Sequence, residues 1–248
     1  ELTPDFIKEF AAYLSTEAGL RNGSIWANCM WLKGVVMKAH YNGLIPRNPF
    51  IQFHISPNVK EREYLTEDEL KAVMTHEFAD SKLAYIRDIF IFASFTALSF
   101  VDIQELTNDN IVEVNGEKWI LSKRHKTKVA FQVKLLDIPL QIVERYRPMQ
   151  KDNRIFPGLN YWSICKPLKR MIRECGITKS ISFHCSRHGF ATLALSKGMP
   201  IESVSRVLGH TNIVTTQLYA KITTQKLDND LTMFGDKLSK TFNGITMS

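Results

Sequence analysis

The sequence predicts a mainly α-helical chain of two domains, with a small three-stranded antiparallel sheet in the second domain. Three observations support this fold class. Apolar residues recur at helical spacing through most of the 248 residues. Residues 111–136 instead hold three short runs of β-forming residues, two of them joined by Asn115 and Gly116, a pair typical of a type I′ turn. Residues 57–63 have the character of an extended linker between two helical segments.

The first domain is predicted to contain two helices. Thr3 can cap the first helix, with Pro4 at its first helical position. A second apolar helix follows from about residue 24 and closes at an Asn-Gly pair. Three large aromatic residues of this domain are expected to pack in its core. They are Trp26, Trp31 and Phe50.

The second domain begins with a helix-start signal. Thr66 and Glu69 have the spacing of a capping box, in which each side chain accepts a hydrogen bond from the other residue's backbone. We therefore place the first domain at residues 1–58, the linker at 59–64 and the second domain at 65–248.

A long helix is predicted over residues 81–97, including an apolar run at 89–95. Arg87 and Asp88 lie directly before this run, so a buried core helix is favoured over a membrane span. Further along, the pattern predicts a third strand at 129–136 and helices at 139–147, 161–175 and 226–240. The last helix places its apolar residues on one face. They are Leu227, Leu231, Phe234 and Leu238.

Composition and charge narrow the function only slightly. The net charge of +7 and the pI near 9.2 favour a polyanionic partner, although a basic balance alone is a weak signal. The chain has no apolar run long enough for a membrane span, and its acidic start is unlike a signal peptide. Its four cysteines include no Cys-x-x-Cys pair, so reduced thiols are expected. These features predict a cytoplasmic protein.

Residues 184–219 carry the clearest chemical signal. His184 and Arg187 are spaced i, i+3, which places both on one side of a helix where they can reach a single ligand. A second helix should begin at Pro200 and stop at Gly209. His210 would then lie just beyond a helix end, with its side chain facing a cleft.

The segment after His210 resumes an apolar pattern. Val214, Leu218 and Ile222 are spaced i, i+4, i+8, which predicts a buried stripe on one helix face. Tyr219 lies about 100° from this stripe by helix geometry. We therefore expect Tyr219 to project at the edge of the packed face.

These motifs together resemble the C-terminal signature of the tyrosine recombinases, also called phage-type integrases. The resemblance depends on His-x-x-Arg at 184–187, Leu-Gly-His at 208–210 and a tyrosine nine residues after that histidine. The residues at 186–192 and 209–211 agree as well. The sequence of these motifs is most similar to integrases of mobile elements in Bacteroides-like bacteria.

The resemblance implies a fold and a chemistry. The two domains would form a C-shaped clamp on double-stranded DNA, with residues 1–58 as the core-binding domain. Tyr219 would attack the scissile phosphate, and His184, Arg187 and His210 would stabilise that phosphate and manage the tyrosine proton. The lysine before threonine in the basic turn at 123–128, Lys126, would be the general acid. The reaction would need no metal and no other cofactor.

The resemblance also implies partners. Strand exchange would require a homo-tetramer on two DNA duplexes that carry attachment sites, with the C-terminal helix exchanged between protomers. A host DNA-bending factor would be an accessory partner, and the protein would be associated with the bacterial nucleoid. A membrane partner is not expected.

One position departs from the family. Relatives carry a first arginine in a Thr-Gly-Leu-Arg-like turn, whereas residues 96–99 here end in Ser99. Asp102 still matches an acidic residue that supports the site in relatives, although it could also be an ordinary helix-start carboxylate. Losing a positioned phosphate donor should cost about 3 to 4 kcal/mol, so another cation is expected to replace it. Our hypothesis is that Arg87, the only arginine in the preceding helical segment, replaces it, with Arg124 in the basic turn as a rival.

Other interpretations remain open at this point. His184, Cys185, His188 and His210 could suggest zinc, but no cysteine-rich spacing supports it, and His188 is more typical of a packed histidine. A protein that binds DNA without cutting it is motivated by Ser99. A type IB topoisomerase or a telomere resolvase would share the chemistry. The sequence does not separate an element integrase from an invertase or a chromosome-dimer resolvase.

Overall fold

A computed structural model describes residues 2–51, 53–56, 63–150, 152–220 and 224–241 of the chain. The chain divides into two compact units, Glu1–Glu61 and Arg62–Ser248. Most of the predicted linker falls on residues 57–62, which lie outside the described part. The linker and the exact domain bounds therefore stay predictions.

The first unit contains helices α1 (Pro4–Thr16) and α2 (Asn22–Tyr41). The Thr3 hydroxyl accepts a hydrogen bond from the Phe6 backbone N–H, and Pro4 opens the helix, as predicted. Phe50 is buried with Ile7 and Val36 in a small core. The prediction that Trp31 is a core residue is wrong. It is 74% exposed, because it lies on the face of α2 opposite this core.

The second unit is built from nine described helices and a small sheet. Helix α3 starts with the predicted capping box of Thr66 and Glu69, with both reciprocal hydrogen bonds present. The helices are α3 (Glu67–Thr75), α4 (Ser81–Thr96), α5 (Phe100–Gln104), α6 (Asp137–Tyr146), α7 (Tyr161–Glu174), α8 (His184–Ser196), α9 (Ile201–Leu208), α10 (Val214–Gln217) and α11 (Thr224–Thr241).

Helix α4 is the centre of this unit. It packs against α6, α7 and α8, and residues 88–94 are buried on every side of the helix, which explains why its sequence lacks an amphipathic pattern. None of the described helices is both long enough and apolar enough to span a membrane. The prediction of a buried core helix is therefore confirmed.

The sheet has the predicted three antiparallel strands in the order β1 (Ile111–Val114), β2 (Glu117–Lys123) and β3 (Ala130–Lys134). Asn115 and Gly116 both have positive φ, as a type I′ turn requires. The mainly helical fold with a small sheet is thus as the sequence predicted.

The predicted buried stripe at the C-terminal end is wrong. Val214 is 57% exposed and Leu218 is 72% exposed, and Ile222 lies outside the described residues. The cause is that α10 ends at Gln217 and that Thr216, not the apolar residues, faces inward. Tyr219 consequently follows a short helix instead of lying within a long one.

Candidate active site

Arg187 is the buried centre of the site. Helix α8 begins at His184, so Arg187 lies in its first turn, and the side chain is 8% exposed. Its guanidinium donates to the carbonyl of Ala97 at 2.8 Å and to the carbonyl of Leu208. These carbonyls end helices α4 and α9, where helix dipoles favour a cation. Burial, and then the nearby charge of Arg124, lower the pKa of Arg187 to about 10.

Arg124 is the second buried guanidinium of the site. It follows β2 directly, and its Nη1 donates to Asp102 at 2.7 Å while its Nη2 donates to the Val207 carbonyl at 2.6 Å. The guanidinium also lies over the Phe131 ring, 4.1 Å from the ring centroid. Its Nε is buried and has no hydrogen-bond partner among the described residues. The site thus holds two guanidiniums and one carboxylate, so it keeps a net positive charge suited to an anion.

Asp102 orients Arg124, and Ser99 orients Asp102. Ser99 caps helix α5 in a capping box with Asp102, and its hydroxyl also donates to the Asp102 carboxylate at 2.7 Å. The His125 backbone N–H donates to the same carboxylate at 3.0 Å. Burial alone would raise the pKa of Asp102, but the hydrogen bonds from His125, Arg124 and Ser99 lower it below its ordinary value. Ser99 therefore supports the site through Asp102.

The structure contradicts the hypothesis that Arg87 replaces the missing arginine. Helix α4 is continuous from Ser81 to Thr96, so Arg87 lies about 15 Å along the helix from Ala97. Its guanidinium is held by Asp88 at 2.9 Å and by the His76 carbonyl at 2.9 Å. The correction is that Arg124, not Arg87, lies beside Arg187.

His210 follows the left-handed cap Gly209 at the end of α9. Its Nδ1 lies 2.9 Å from the Thr216 hydroxyl, which is fully buried. Burial, and then the charges of Arg187 and Arg124, lower the pKa of His210 to about 4. The imidazole is therefore neutral at pH 7, and it can accept at one nitrogen and donate at the other.

The His210 resonances should titrate with a midpoint near pH 4 in the free protein. Since this value lies below that of an unfolded histidine, the unfolded chain binds the proton first as pH falls below about 6.5. The contribution of neutral His210 to the free energy of unfolding should thus be present at neutral pH and be lost as the pH falls from about 6.5 to about 4. Histidine side-chain NMR would check the midpoint, with His210→Gln assigning the signal. A midpoint at or above 6.5 in the free protein would contradict the described environment.

Gly209 is constrained by Arg124 as well as by its backbone. Its φ is +61°, and a Cβ at this position would lie 2.9 Å from the Nε and 3.0 Å from the Cγ of Arg124. The Arg124 guanidinium is bound to both Asp102 and the Val207 carbonyl, so the side chain has little freedom to move aside. Gly198 has a similar φ of +87° but nothing within 4 Å of its Cβ position, which makes it a matched control.

Gly209→Ala should therefore destabilise the protein more than Gly198→Ala does. Both changes carry the backbone cost of about 1 to 2 kcal/mol for a left-handed alanine, but only the first also displaces Arg124. Thermal unfolding of both variants would measure the difference. In an Arg124→Ala background the excess should vanish, whereas equal losses in every background would show that backbone strain alone is responsible.

Tyr219 lies in the turn after α10, half-buried against the apolar cluster of α8 and α9. Its ring centroid is 5.1 Å from that of His188, and the His188 centroid is 4.6 Å from that of His184. That cluster includes Ala97 and Leu208, whose carbonyls hold Arg187, so Tyr219 and Arg187 lie in one site. The structure thus brings Tyr219, Arg187, His210 and His184 together, and their catalytic roles stay predictions.

Lys126 lies in the turn between β2 and β3, two residues after Arg124. Its side chain is exposed, and within the described part of the chain no hydrogen bond or ion pair holds it. The structure therefore brings Lys126 to the turn that carries Arg124 without fixing its ammonium. A lysine on such a turn can be fixed by a bound phosphate.

Sequence reasoning assigned His188 to packing, and it placed Ser99 with Asp102 among the supporting residues of the site without saying how Ser99 would act. The signal for Ser99 was present, because Ser-x-x-Asp before an apolar helix is a capping box. The signal for His188 was its spacing of i+4 from His184, which puts both on one helix face.

The site and its fold have known counterparts. Residues 63–226 match the model of the Phage integrase family, and residues 1–55 match that of the Phage integrase SAM-like domain. The chain is 32% identical over 177 residues to tyrosine recombinase XerA of Pyrococcus horikoshii, an alignment that covers 66% of this chain and 58% of the relative. It is 25% identical over 229 residues to tyrosine recombinase XerC of Lactobacillus leichmannii, covering 86% of this chain and 77% of the relative.

Solved structures share the fold. The Tn1549 transposon integrase in complex with a circular intermediate DNA superposes with a TM-score of 0.80 and 18% identity, covering 94% of this chain and 86% of that chain. A lambda integrase dimer bound to a COC′ core site gives a TM-score of 0.70 and 18% identity, covering 88% and 80%. This likeness confirms the predicted fold class.

Proposed function

The chain belongs to the phage integrase family, whose members are DNA strand-transferring tyrosine recombinases, and from that membership we propose that it cuts and rejoins DNA as a site-specific recombinase. The observation that carries the proposal is that Tyr219 lies in one site with two buried arginines and a neutral histidine. The role of the protein would be to integrate or excise a mobile element.

Tyr219 is the proposed nucleophile. A free tyrosine has a pKa of about 10, so only about one in 10³ is ionised at neutral pH, a deficit of roughly 4 kcal/mol. Attack of its oxygen on the scissile phosphorus forms a 3′-phosphotyrosine and breaks the bond to the 5′ oxygen. The ester conserves the energy of the broken bond, so the 5′-hydroxyl of a partner strand can reverse the step.

Arg187 and Arg124 are the proposed phosphate clamp. Charge develops on the non-bridging oxygens in the transition state, and fixed donors in a buried site stabilise it most effectively. Both guanidiniums are held by carbonyls at helix ends and retain further N–H groups. Arg124 would thereby supply the cation that is missing at position 99.

The two histidines and the lysine complete the proposed chemistry. His210, neutral at pH 7, can donate to a phosphate oxygen or accept the tyrosine proton. His184 lies at the start of α8, on the exposed side of the site, and can do the same. Lys126 would protonate the departing 5′ oxygen once the phosphate draws its ammonium in.

Double-stranded DNA with attachment sites is the proposed partner. One face of α7 supports a backbone contact, because exposed cations follow one another along it without an intervening acid. They are Lys166, Lys169 and Arg173. The Tn1549 and lambda integrases are described in complex with DNA, which is in keeping with this partner.

A tetramer on two duplexes is the proposed active assembly, with a host DNA-bending factor as an accessory. Helix α11 supports an exchange of helices between protomers, since its apolar face is exposed in the single chain. The exposed residues are Leu227, Leu231, Phe234 and Leu238.

Two other functions stay open within the proposal. An invertase or a dimer resolvase would use the same site on different DNA arrangements. A binding-only protein is disfavoured by the position of Arg124 beside Arg187, since it offers a replacement for the arginine absent at position 99.

A strand-exchange assay tests the proposal. Two labelled duplexes of different length, each carrying one end of the parent mobile element, are incubated with the protein and separated by size. A recombinase yields chimeric duplexes. A supercoiled plasmid is incubated with the protein in parallel. Relaxation of the plasmid without chimeric duplexes would point to a topoisomerase. Binding of DNA without either product would point to a protein that does not cut.

A further inference from the structure

We infer that His188 is a positioning residue that seats the ring of Tyr219 beside Arg187. This inference rests on the proposed function, because it assigns a role toward the proposed nucleophile. His188 is buried, at 9% exposed, and its ring centroid lies 5.1 Å from that of Tyr219 with the planes tilted by 49°.

The backbone around Tyr219 explains why its ring needs such a contact. Helix α10 ends at Gln217, and the Tyr219 N–H donates to the Thr216 carbonyl at 3.0 Å in the turn that follows. Thr216 is anchored through its contact with His210. The backbone is therefore fixed on one side, while the ring direction depends on what the ring touches.

His188 is well placed to set that direction. It follows Arg187 directly in the first turns of α8, so both side chains have a common rigid support. The His184 ring also packs against His188 in an edge-to-face arrangement, with centroids 4.6 Å apart and planes at 89°. A ring packed against both neighbours on a rigid helix would fix the distance between the nucleophile and the phosphate clamp. Displacement of a reacting group by about 1 Å can reduce a rate by about 10²-fold.

Positioning differs from proton transfer in what it requires of the side chain. A positioning ring acts by its shape, so phenylalanine should replace it. A proton acceptor acts through a ring nitrogen, so phenylalanine should not. The two roles are thus separated by one conservative substitution.

The test compares His188→Ala with His188→Phe on a nicked duplex that carries an end of the parent element. Seating of Tyr219 predicts that His188→Ala lowers the rate of covalent complex formation by about 10²-fold, with duplex affinity unchanged, and that His188→Phe restores most of the rate. If His188→Phe is as slow as His188→Ala but gains a changed pH profile, His188 handles a proton and the inference is overturned. An unchanged rate in His188→Ala also overturns it.

A second measurement excludes simple misfolding. In a Tyr219→Phe background, hydrogen peroxide can serve as an external nucleophile, because its anion attacks the phosphate and releases the 5′-hydroxyl. Adding His188→Ala to that background should leave peroxide cleavage unchanged, since no tyrosine remains to be seated. An equal loss of peroxide cleavage would mean that His188 supports the whole site, which contradicts the inference. If wild-type protein forms no covalent complex, the proposed function itself fails, and that outcome is distinct from all of these.

Discussion

Arg124→Ala should reduce the rate of DNA cleavage by about 10²- to 10³-fold, the usual effect of removing one fixed donor to a developing oxyanion. The reason is that Arg124 is the guanidinium beside Arg187, held by Asp102 at 2.7 Å. Arg124→Lys should recover little of the rate, because an ammonium keeps the charge but loses the planar fork. Single-turnover cleavage of a nicked duplex measures both.

Arg87→Ala is the matched control, since Arg87 is also an arginine paired with an aspartate and only 16% of its side chain is exposed. It should cleave at close to the wild-type rate, with any loss confined to stability. If Arg87→Ala abolished cleavage and Arg124→Ala did not, the assignment of Arg124 would be refuted.

Asp102→Ala should destabilise the protein by about 3 to 5 kcal/mol, the range expected when one partner of a buried ion pair is removed. The side chains of Arg124 and Asp102 are 7% and 4% exposed, so the remaining guanidinium could not reach water. It would keep only the Val207 carbonyl as a hydrogen-bond acceptor. Chemical denaturation would measure the loss.

The double variant separates this pair from the rest of the fold. Arg124→Ala alone should cost less, because Asp102 keeps the Ser99 hydroxyl and the His125 N–H as donors. Adding it to Asp102→Ala should cost much less than the sum of the two. Glu117→Ala, which breaks an exposed pair with Lys134, should cost under about 1 kcal/mol. Additive losses at Asp102 and Arg124 would contradict the described coupling.

Local patterns predicted most of the elements because their causes are local. The capping box of Thr66 and Glu69, the type I′ turn at Asn115 and Gly116, and the left-handed cap at Gly209 each depend on a few adjacent residues. The spacing of His184 and Arg187 likewise fixed their common helix side. These features therefore needed no knowledge of packing.

Local patterns could not identify the replacement arginine, because its position depends on tertiary contacts. Helix α5 and strands β1 and β2 separate Arg87 from Arg124 in sequence. The packing of the β2–β3 turn against α5 and α9 brings Arg124 to Asp102 and Val207. The prediction of the helix around Tyr219 was wrong for a related reason. Helical spacing predicted a stripe through Val214 and Leu218, but the buried contact of Thr216 with His210 ended the helix early.

The central claim is that Tyr219 forms a covalent bond to DNA, and a trapping assay tests it most directly. A nicked duplex with the ends of the parent element is incubated with the wild-type protein or with Tyr219→Phe, in the presence of a chelator, and run on a denaturing gel. The proposed function predicts a protein–DNA band that resists denaturant, forms with chelator present and is absent only in Tyr219→Phe. A duplex that is bound by the wild-type protein but yields no such band, or a band that persists in Tyr219→Phe, would contradict it.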